Sequence, residues 1–247
     1  MISKNKIAYI RSLHDKTTRL EEGLFLVEWR KCMQEFMDSD FEIMEGFFSG
    51  EFAEKIEYKF PYEILTESEL ARISTLNSNC DWVLLVKMKY QKSGLPRTSQ
   101  WHNPQELILI LDRINDPGNL GTIIRIADWY GILEIICSSD TVDCYNPKVL
   151  MATMGSFTRV SIYYTDLDRY LSEVEWKVYW AYLDGESTHT MNWWSGWWYL
   201  VIGSEAHGIS ASLEQYITDK VTIPRFGIAE SLNAWVATAV ILDRIRG

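Results

Sequence analysis

Three short segments in the second half of the chain hold side chains suited to binding a charged or hydroxylated ligand. In LDRINDPGNLGTIIRIADWYGI, residues 111 to 132, the Asp116-Pro117-Gly118 turn leads to Asn119, which is expected to cap a helix over Leu120 to Tyr130, with Gly131 as its stop. That spacing puts Ile123, Ile124, Ala127 and Tyr130 on one face and turns Arg125 away from it, where its permanently charged guanidinium is free to meet a phosphate. The segment LVIGSEAHGIS, residues 200 to 210, carries Glu205 close after Gly203. IPRFGIAESLNAWVATAVILDRIR, residues 223 to 246, sets Ser231, Leu232 and Asn233 at the entrance to the last helical stretch. Taken singly, Asn119 is a helix cap, Arg125 a surface ion pair with Asp128 or Glu134, Glu205 a loop acceptor and Asn233 a turn residue. Each segment follows or closes an expected strand on its carboxyl side, where open α/β sheets bind ligands.

The strands that must position these segments are short apolar runs at Leu107–Leu111, Leu133–Cys137, Val160–Tyr164, Lys177–Leu183, Tyr199–Ile202 and Val221–Ile223. Several are apolar throughout, the pattern of a parallel sheet covered on both faces, with helical patterns between most of them. The final helix, Ser231 to Arg246, carries Leu232, Val236, Ala239, Val240 and Ile241 around much of its circumference, so wide burial is expected and a dimer interface could supply the second covering surface. The polar stretch KYQKSGLPRTSQWHNP, with Gly94, Pro96 and Pro104, marks a linker over 89–104. It separates a small α/β module, 1–88, with strand-like runs at Leu24–Val27, Phe41–Phe48 and Trp82–Val86, from an α/β domain over 105–247.

Composition narrows the function. Hydrophobic residues make up 47% and charged residues 23% of 247, the balance of a globular protein, and neither a leader peptide nor an apolar run long enough for a bilayer is visible, so a cytoplasmic protein is expected. A net charge of −10 argues against holding nucleic acid by bulk electrostatics. Any such site must be local. The best candidate is residues 1–31, where Lys4, Lys6, Arg11, Lys16, Arg19, Arg30 and Lys31 outnumber Asp15, Glu21, Glu22 and Glu28; the same pattern fits a solvated helical face. Cys32, Cys80, Cys137 and Cys144 form no CxxC pair and have no nearby histidine, so reduced thiols and no metal site are expected. There is no phosphate loop and no HExxH, which leaves kinase and zinc-hydrolase readings without support; an NAD-linked oxidoreductase on a doubly wound sheet stays as a rival of another class, although no GxGxxG follows the first strand of the second domain. The tryptophan-rich run NWWSGWWY, Asn192 to Tyr199, can either stack on bases or pack an edge.

The three segments, in this order, resemble the motifs of the SpoU, or TrmH-type, branch of the SPOUT methyltransferases. Asn119 and Arg125 match the first motif, Glu205 lies in the G-x-E-x-x-G second, and Ser231-Leu232-Asn233 reproduces the third; NPKVLMATMGS, residues 146 to 156, is also similar. The run RSLHDKTTRLEEGLFLVE, 11 to 28, is similar to the family's substrate-binding module. The resemblance implies a trefoil-knotted catalytic domain whose loops clasp S-adenosylmethionine through Gly203, Ile223 and Leu232. It also implies methylation of a ribose 2′-hydroxyl, with Asn119, Arg125, Glu205, Ser231 and Asn233 as catalytic residues; the two-domain plan favours ribosomal RNA as substrate, with transfer RNA as the alternative. A homodimer follows from it as well, while the scattered cysteines and the lack of a long apolar run predict no metal and no membrane partner. The rival is an RNA-binding assembly factor without catalysis, against which the retained motif residues speak. The chain departs from the family pattern at Trp29, where glycine is usual, at Arg225, where an apolar residue is usual, and at Trp235, where a small one is usual.

Overall fold

A computed structural model describes residues 2–53, 59–75, 80–89, 107–193, 198–205 and 207–246. The expected linker falls outside these residues except for Lys89. Two compact units are formed, Met1–Tyr90 with Tyr145–Thr158, and Gln91–Cys144 with Arg159–Gly247.

In the first unit, helices α1 (Lys4–Ser12) and α2 (Lys16–Glu22) precede strand β1 (Leu24–Val27), followed by α3 (Arg30–Met37), β2 (Ile43–Ser49), α4 (Gly50–Ala53), β3 (Tyr62–Leu65), α5 (Glu67–Ile73) and β4 (Trp82–Lys87). The sheet order is β1-β4-β2-β3, antiparallel except for the β2/β3 pair. Helix α5 begins with a full capping box between Thr66 and Glu69, which satisfies donors at both ends of its first turn. Ile7, Ile10, Leu26, Phe47, Leu70, Ile73 and Val83 share one core.

The second unit runs β5 (Leu107–Asp112), α6 (Pro117–Trp129) and β6 (Glu134–Ser138); α7 (Pro147–Thr153) then belongs to the first unit, and the chain continues with β7 (Ser161–Thr165), α8 (Leu167–Ser172), β8 (Lys177–Ser187), β9 (Trp198–Gly203), β10 (Asp219–Thr222) and α9 (Ala234–Arg246). All six strands are parallel, in the order β10-β8-β9-β5-β6-β7. The six apolar runs are therefore six strands, and β5, β6 and β9 are buried along nearly their whole length, as expected of a doubly covered sheet.

Three expectations need correction. Asn119 is not the cap of α6: Asp116 is, its Oδ1 accepting from Asn119 N at 2.8 Å, with Pro117 in the first turn. Proline has no N–H to offer and a φ suited to that place, so the helix starts earlier and the Asn119 side chain is released. Gly131, at φ +70°, does follow the helix end. The last helix begins at Ala234 rather than Ser231 and buries one face, Ala234, Thr238, Ile241 and Leu242, leaving Val236, Ala239 and Val240 half-buried. Finally, the basic N-terminal segment is smaller than its composition suggests. Arg19 is buried, donating to Leu13 O and His14 O at 3.0 and 2.8 Å, and Lys6 is held by Glu45 and Glu63 at 2.6 Å each.

Of the tryptophan-rich run, residues 194–197 lie outside the described residues. Trp193 stacks on buried Trp198 at 5.6 Å, and Tyr179 meets both rings edge-on at 5.7 and 5.1 Å, so these rings pack the sheet.

Candidate active site

β5 and β9 are neighbours, paired from Leu107–Trp198 to Asp112–Gly203, and strand order diverges between them toward β6 and β7 on one side and β8 and β10 on the other. This switch point brings two of the three motif segments to adjacent strand ends. From the end of β5, α6 presents Asn119 in its first turn. From the end of β9, a tight loop presents Glu205.

That loop is closed by paired main-chain bonds, Ser204 N to Gly208 O at 3.0 Å and Gly208 N to Ser204 O at 2.9 Å. Closure brings Gly208 so near that a Cβ on Gly203 would lie 2.3 Å from Gly208 C and 2.6 Å from Ile209 N. The close approach that requires glycine here is thus the loop's own backbone. Asp112, 2% exposed, anchors the far side: its Oδ2 accepts from Ser210 N at 2.6 Å and Ser210 Oγ at 2.9 Å, with Arg113 Nε at 3.4 Å. Two carboxylates, Asp112 and Glu205, therefore fix the loop at its two ends.

Glu205 Oε1 accepts from Asn119 Nδ2 at 2.9 Å and from Ala234 N at 3.2 Å, the first residue of α9. Asn233 closes the group, its Nδ2 reaching Asn119 Oδ1 at 3.4 Å while its Oδ1 accepts from Trp235 N at 3.1 Å. Residues 119, 205 and 233, spread over more than a hundred positions, thus form one hydrogen-bonded cluster in which a single charged acceptor joins both helix starts. Such charge-assisted bonds are worth about 1.5–3 kcal/mol each when shielded and less at this exposed position.

Other expected residues lie outside this cluster. Ser231 and Leu232 are exposed in the loop before α9, and Ile223 is half-buried where the loop leaves β10. Arg125 is exposed on α6 and has no ion pair among the described residues; Asp128, one of its two expected partners, is held instead by Arg159, whose Nη2 approaches to 2.9 Å.

The 223–232 loop is exposed from Arg225 onward, with Phe226 92% and Ile228 fully exposed. Its main chain makes no main-chain hydrogen bond among the described residues, and its one side-chain clip is Arg225 Nη1 to Ala229 O at 3.2 Å. Beside its root, Thr188 donates its N–H to Thr222 O at 2.9 Å and carries a buried hydroxyl without a partner among the described residues. A cavity of about 200 Å³ past β5, lined by Asp112, Asp140, Asp166 and Asp168, is too acidic to receive a phosphate. Sequence reasoning missed Asp112, although a lone acid ending an otherwise apolar strand, LILILD, is a visible signal. It also missed Thr188, for which no local signal exists.

The profile of the SpoU rRNA Methylase family matches residues 106–243, more than half of the chain, and includes Asn119, Arg125, Glu205, Ser231, Leu232 and Asn233. The chain belongs to that family. It is 26% identical over 247 residues to the 23S rRNA (guanosine(2553)-2′-O)-methyltransferase RlmP of Bacillus subtilis, covering 98% of this chain and 96% of the relative. Among solved structures, a TrmH-family protein from Porphyromonas gingivalis superposes with a TM-score of 0.85 at 30% identity, covering 100% of this chain and 98% of the other. An AdoMet-bound rRNA methyltransferase from Sinorhizobium meliloti gives 0.85 at 26% identity, covering 100% and 95%. A mixed α/β fold with a parallel sheet is common to this SpoU and TrmH group. Among the described residues, no helix is long and apolar enough to cross a membrane, and no group of three or more His, Cys, Asp or Glu could hold a metal.

Proposed function

We propose that this chain transfers a methyl group from S-adenosylmethionine to a ribose 2′-hydroxyl of ribosomal RNA. The observation that carries the reading is the Asn119–Glu205–Asn233 cluster at the carboxyl ends of β5 and β9, in a chain whose family and relatives are rRNA methylases.

The residues around the cluster fit the cofactor. An adenosine with a methionine tail asks for main-chain donors and acceptors beside apolar contacts. The 223–232 loop supplies unspent main-chain groups with Ile223 and Leu232 beside them, and the orphaned Thr188 hydroxyl lies at its root. When bound, S-adenosylmethionine supplies an electrophilic methyl on a sulfonium. In this reading Gly203, Ile223 and Leu232 hold it by their main chain, and the loops that do so form the trefoil knot the family resemblance implies.

The chain's own part is to orient and to manage charge. Asn119, Ser231 and Asn233 orient the nucleotide and the loop by hydrogen bonds, and Glu205 fixes the two helix starts against which they are set. The attacking hydroxyl loses its proton as the bond forms. A guanidinium is a poor base because it stays charged, so Arg125 acts electrostatically, holding a phosphate and stabilising the developing alkoxide. Its exposure, and its distance from the cluster along α6, support delivery to the site of a second copy; a homodimer paired through the knot region and α9 is part of the proposal, and the half-buried Val236, Ala239 and Val240 support it. Residues 1–88 serve as the substrate-binding domain and 105–247 as the catalytic domain, in a cytoplasmic enzyme.

Isothermal titration with S-adenosylmethionine, beside Asn233→Ala and an NAD control, followed by methyl transfer to total RNA and mapping of 2′-O-methyl marks, tests the reading. Cofactor binding weakened by the substitution, with marks on ribosomal RNA, is expected. No cofactor binding even with RNA present, or marks confined to transfer RNA, overturns it.

A further inference from the structure

A cavity of about 370 Å³ opens within the first unit, a size typical of small-ligand sites. Leu26, Val27 and Leu150 give it apolar walls. Trp29 is also in its lining, half-buried and with no ring partner among the described residues, unlike the packed Trp193 and Trp198. Lys148 lines the cavity too, exposed and without an ion pair among the described residues, and Arg30 and Lys31 follow Trp29 directly in the same state. Lys148 in the lining, with Arg30 and Lys31 opening helix α3 directly after Trp29, gives this part of a chain of net charge −10 cations without an ion pair among the described residues.

The main chain adds to this. Helix α3, with Trp29 at its N-cap position, has no side-chain cap and no acid in its first turn, so among the described residues no side chain claims its leading N–H groups or the positive end of its dipole. The acid in the cavity, Glu28, is already spent. It is buried and accepts from Ser74 Oγ at 3.0 Å, Thr75 N at 2.9 Å and Thr75 Oγ1 at 2.7 Å, so it does not confront an incoming phosphate as a free charge.

We infer that this cavity receives one unstacked nucleobase of the RNA substrate, stacked on Trp29, with the adjoining phosphate held by Lys148 and Arg30. An indole face accepts any base, and an A-form duplex, whose bases are stacked away, does not offer one. The inference rests on the RNA reading above and adds to it a single-strand contact remote in sequence from the three motifs.

The test uses the full chain and a labelled single-stranded RNA of roughly twelve nucleotides, within the span such sites cover, beside a duplex of equal length. Affinity is read by fluorescence anisotropy, with S-adenosylmethionine titrated into the same samples. Trp29→Ala is expected to weaken single-strand binding about tenfold, while Trp29→Phe stays within about twofold and duplex binding is unchanged. Lys148→Glu, which leaves the cavity's apolar walls intact, is expected to weaken binding and flatten its salt dependence. Parent-like single-strand affinity in Trp29→Ala at parent thermal stability, equal loss on duplex and single strand, or no RNA binding by the parent would each overturn the inference. Should Trp29→Ala fail to fold, unchanged affinity in Lys148→Glu does so. Cofactor binding absent from the parent while the Trp29 effect persists would sink the methyltransferase reading and leave this site standing.

Discussion

Gly203→Ala is the sharpest test of how the site is built. The added Cβ would lie 2.3 Å from Gly208 C, 2.5 Å from Gly208 O and 2.6 Å from Ile209 N, against the roughly 3.5 Å at which carbon atoms rest. The opposing atoms are backbone and cannot swing aside, so the two arms of the loop must part by about 1 Å. Parting them breaks the paired Ser204–Gly208 bonds, at about 1 kcal/mol each, or about 2 kcal/mol in total. In a chain of this size that corresponds to a fall in melting temperature of about 4–8 °C. The larger effect is on function. Glu205 lies two residues on, and a displacement of about 1 Å pulls its Oε1 out of reach of Asn119 Nδ2 and Ala234 N; misplacements of that size cost on the order of a hundredfold in turnover. Thermal unfolding, cofactor titration and methyl transfer from labelled S-adenosylmethionine to ribosomal RNA measure the three levels together. A variant with parent melting temperature, affinity and turnover would refute the account of Gly203 as the fold point of this loop.

Glu205→Ala should lower turnover at least tenfold with a melting shift of only a few degrees, because the carboxylate is exposed but joins two helix starts, whereas Glu205→Gln, which keeps an acceptor oxygen, should retain more; equal activity in both would contradict the bridging role. Arg125→Ala and Arg125→Lys should both reduce turnover while cofactor affinity stays at the parent value, since a planar guanidinium grips phosphate in a way an ammonium does not, and a fully active lysine variant would refute this. Burial lowers the His14 pKa below the ordinary 6.5, assisted by Arg11 and Arg19 and opposed by Glu28, so the unfolded chain binds the proton first. Stability should therefore decline as pH drops through 6.5 and below, and His14→Gln should flatten that decline; an equally steep decline in the variant argues against it. Cys32, its pKa pushed up to about 12 chiefly by burial, should resist iodoacetamide at pH 8.5 until the protein unfolds, as peptide mapping would reveal.

The sheet was largely legible because its strands announce themselves: LILIL and YLVI are apolar on both faces, and only a covered parallel strand tolerates that. The neighbour relation of β5 and β9 was not, since nothing local in either run says that strands ninety residues apart pair while β7 ends at an edge. Site residues were found through the order of three motifs, yet their geometry was hidden. Asn119 seemed a cap because Asn often is one, and Asp116-Pro117 took that role and freed its side chain for Glu205. Charge counting likewise overstated the N-terminal patch, because sequence does not reveal that Arg19 is buried or that Lys6 is claimed by two glutamates across the sheet.

The return of Tyr145–Thr158 to the first unit has a consequence for synthesis. Phe25, Phe36 and Phe41 make one aromatic cluster with Tyr145 and Phe157, with Phe25 and Tyr145 centroids 4.7 Å apart and Phe36 and Phe157 6.2 Å apart. A nascent chain therefore leaves the ribosome with these rings exposed until residue 158 has followed them, long after β4 is complete. Domains usually fold as units in the order they emerge. Here the leading unit must wait through a third of the trailing one, and during that interval its apolar surface is available to chaperones or to a neighbouring nascent chain.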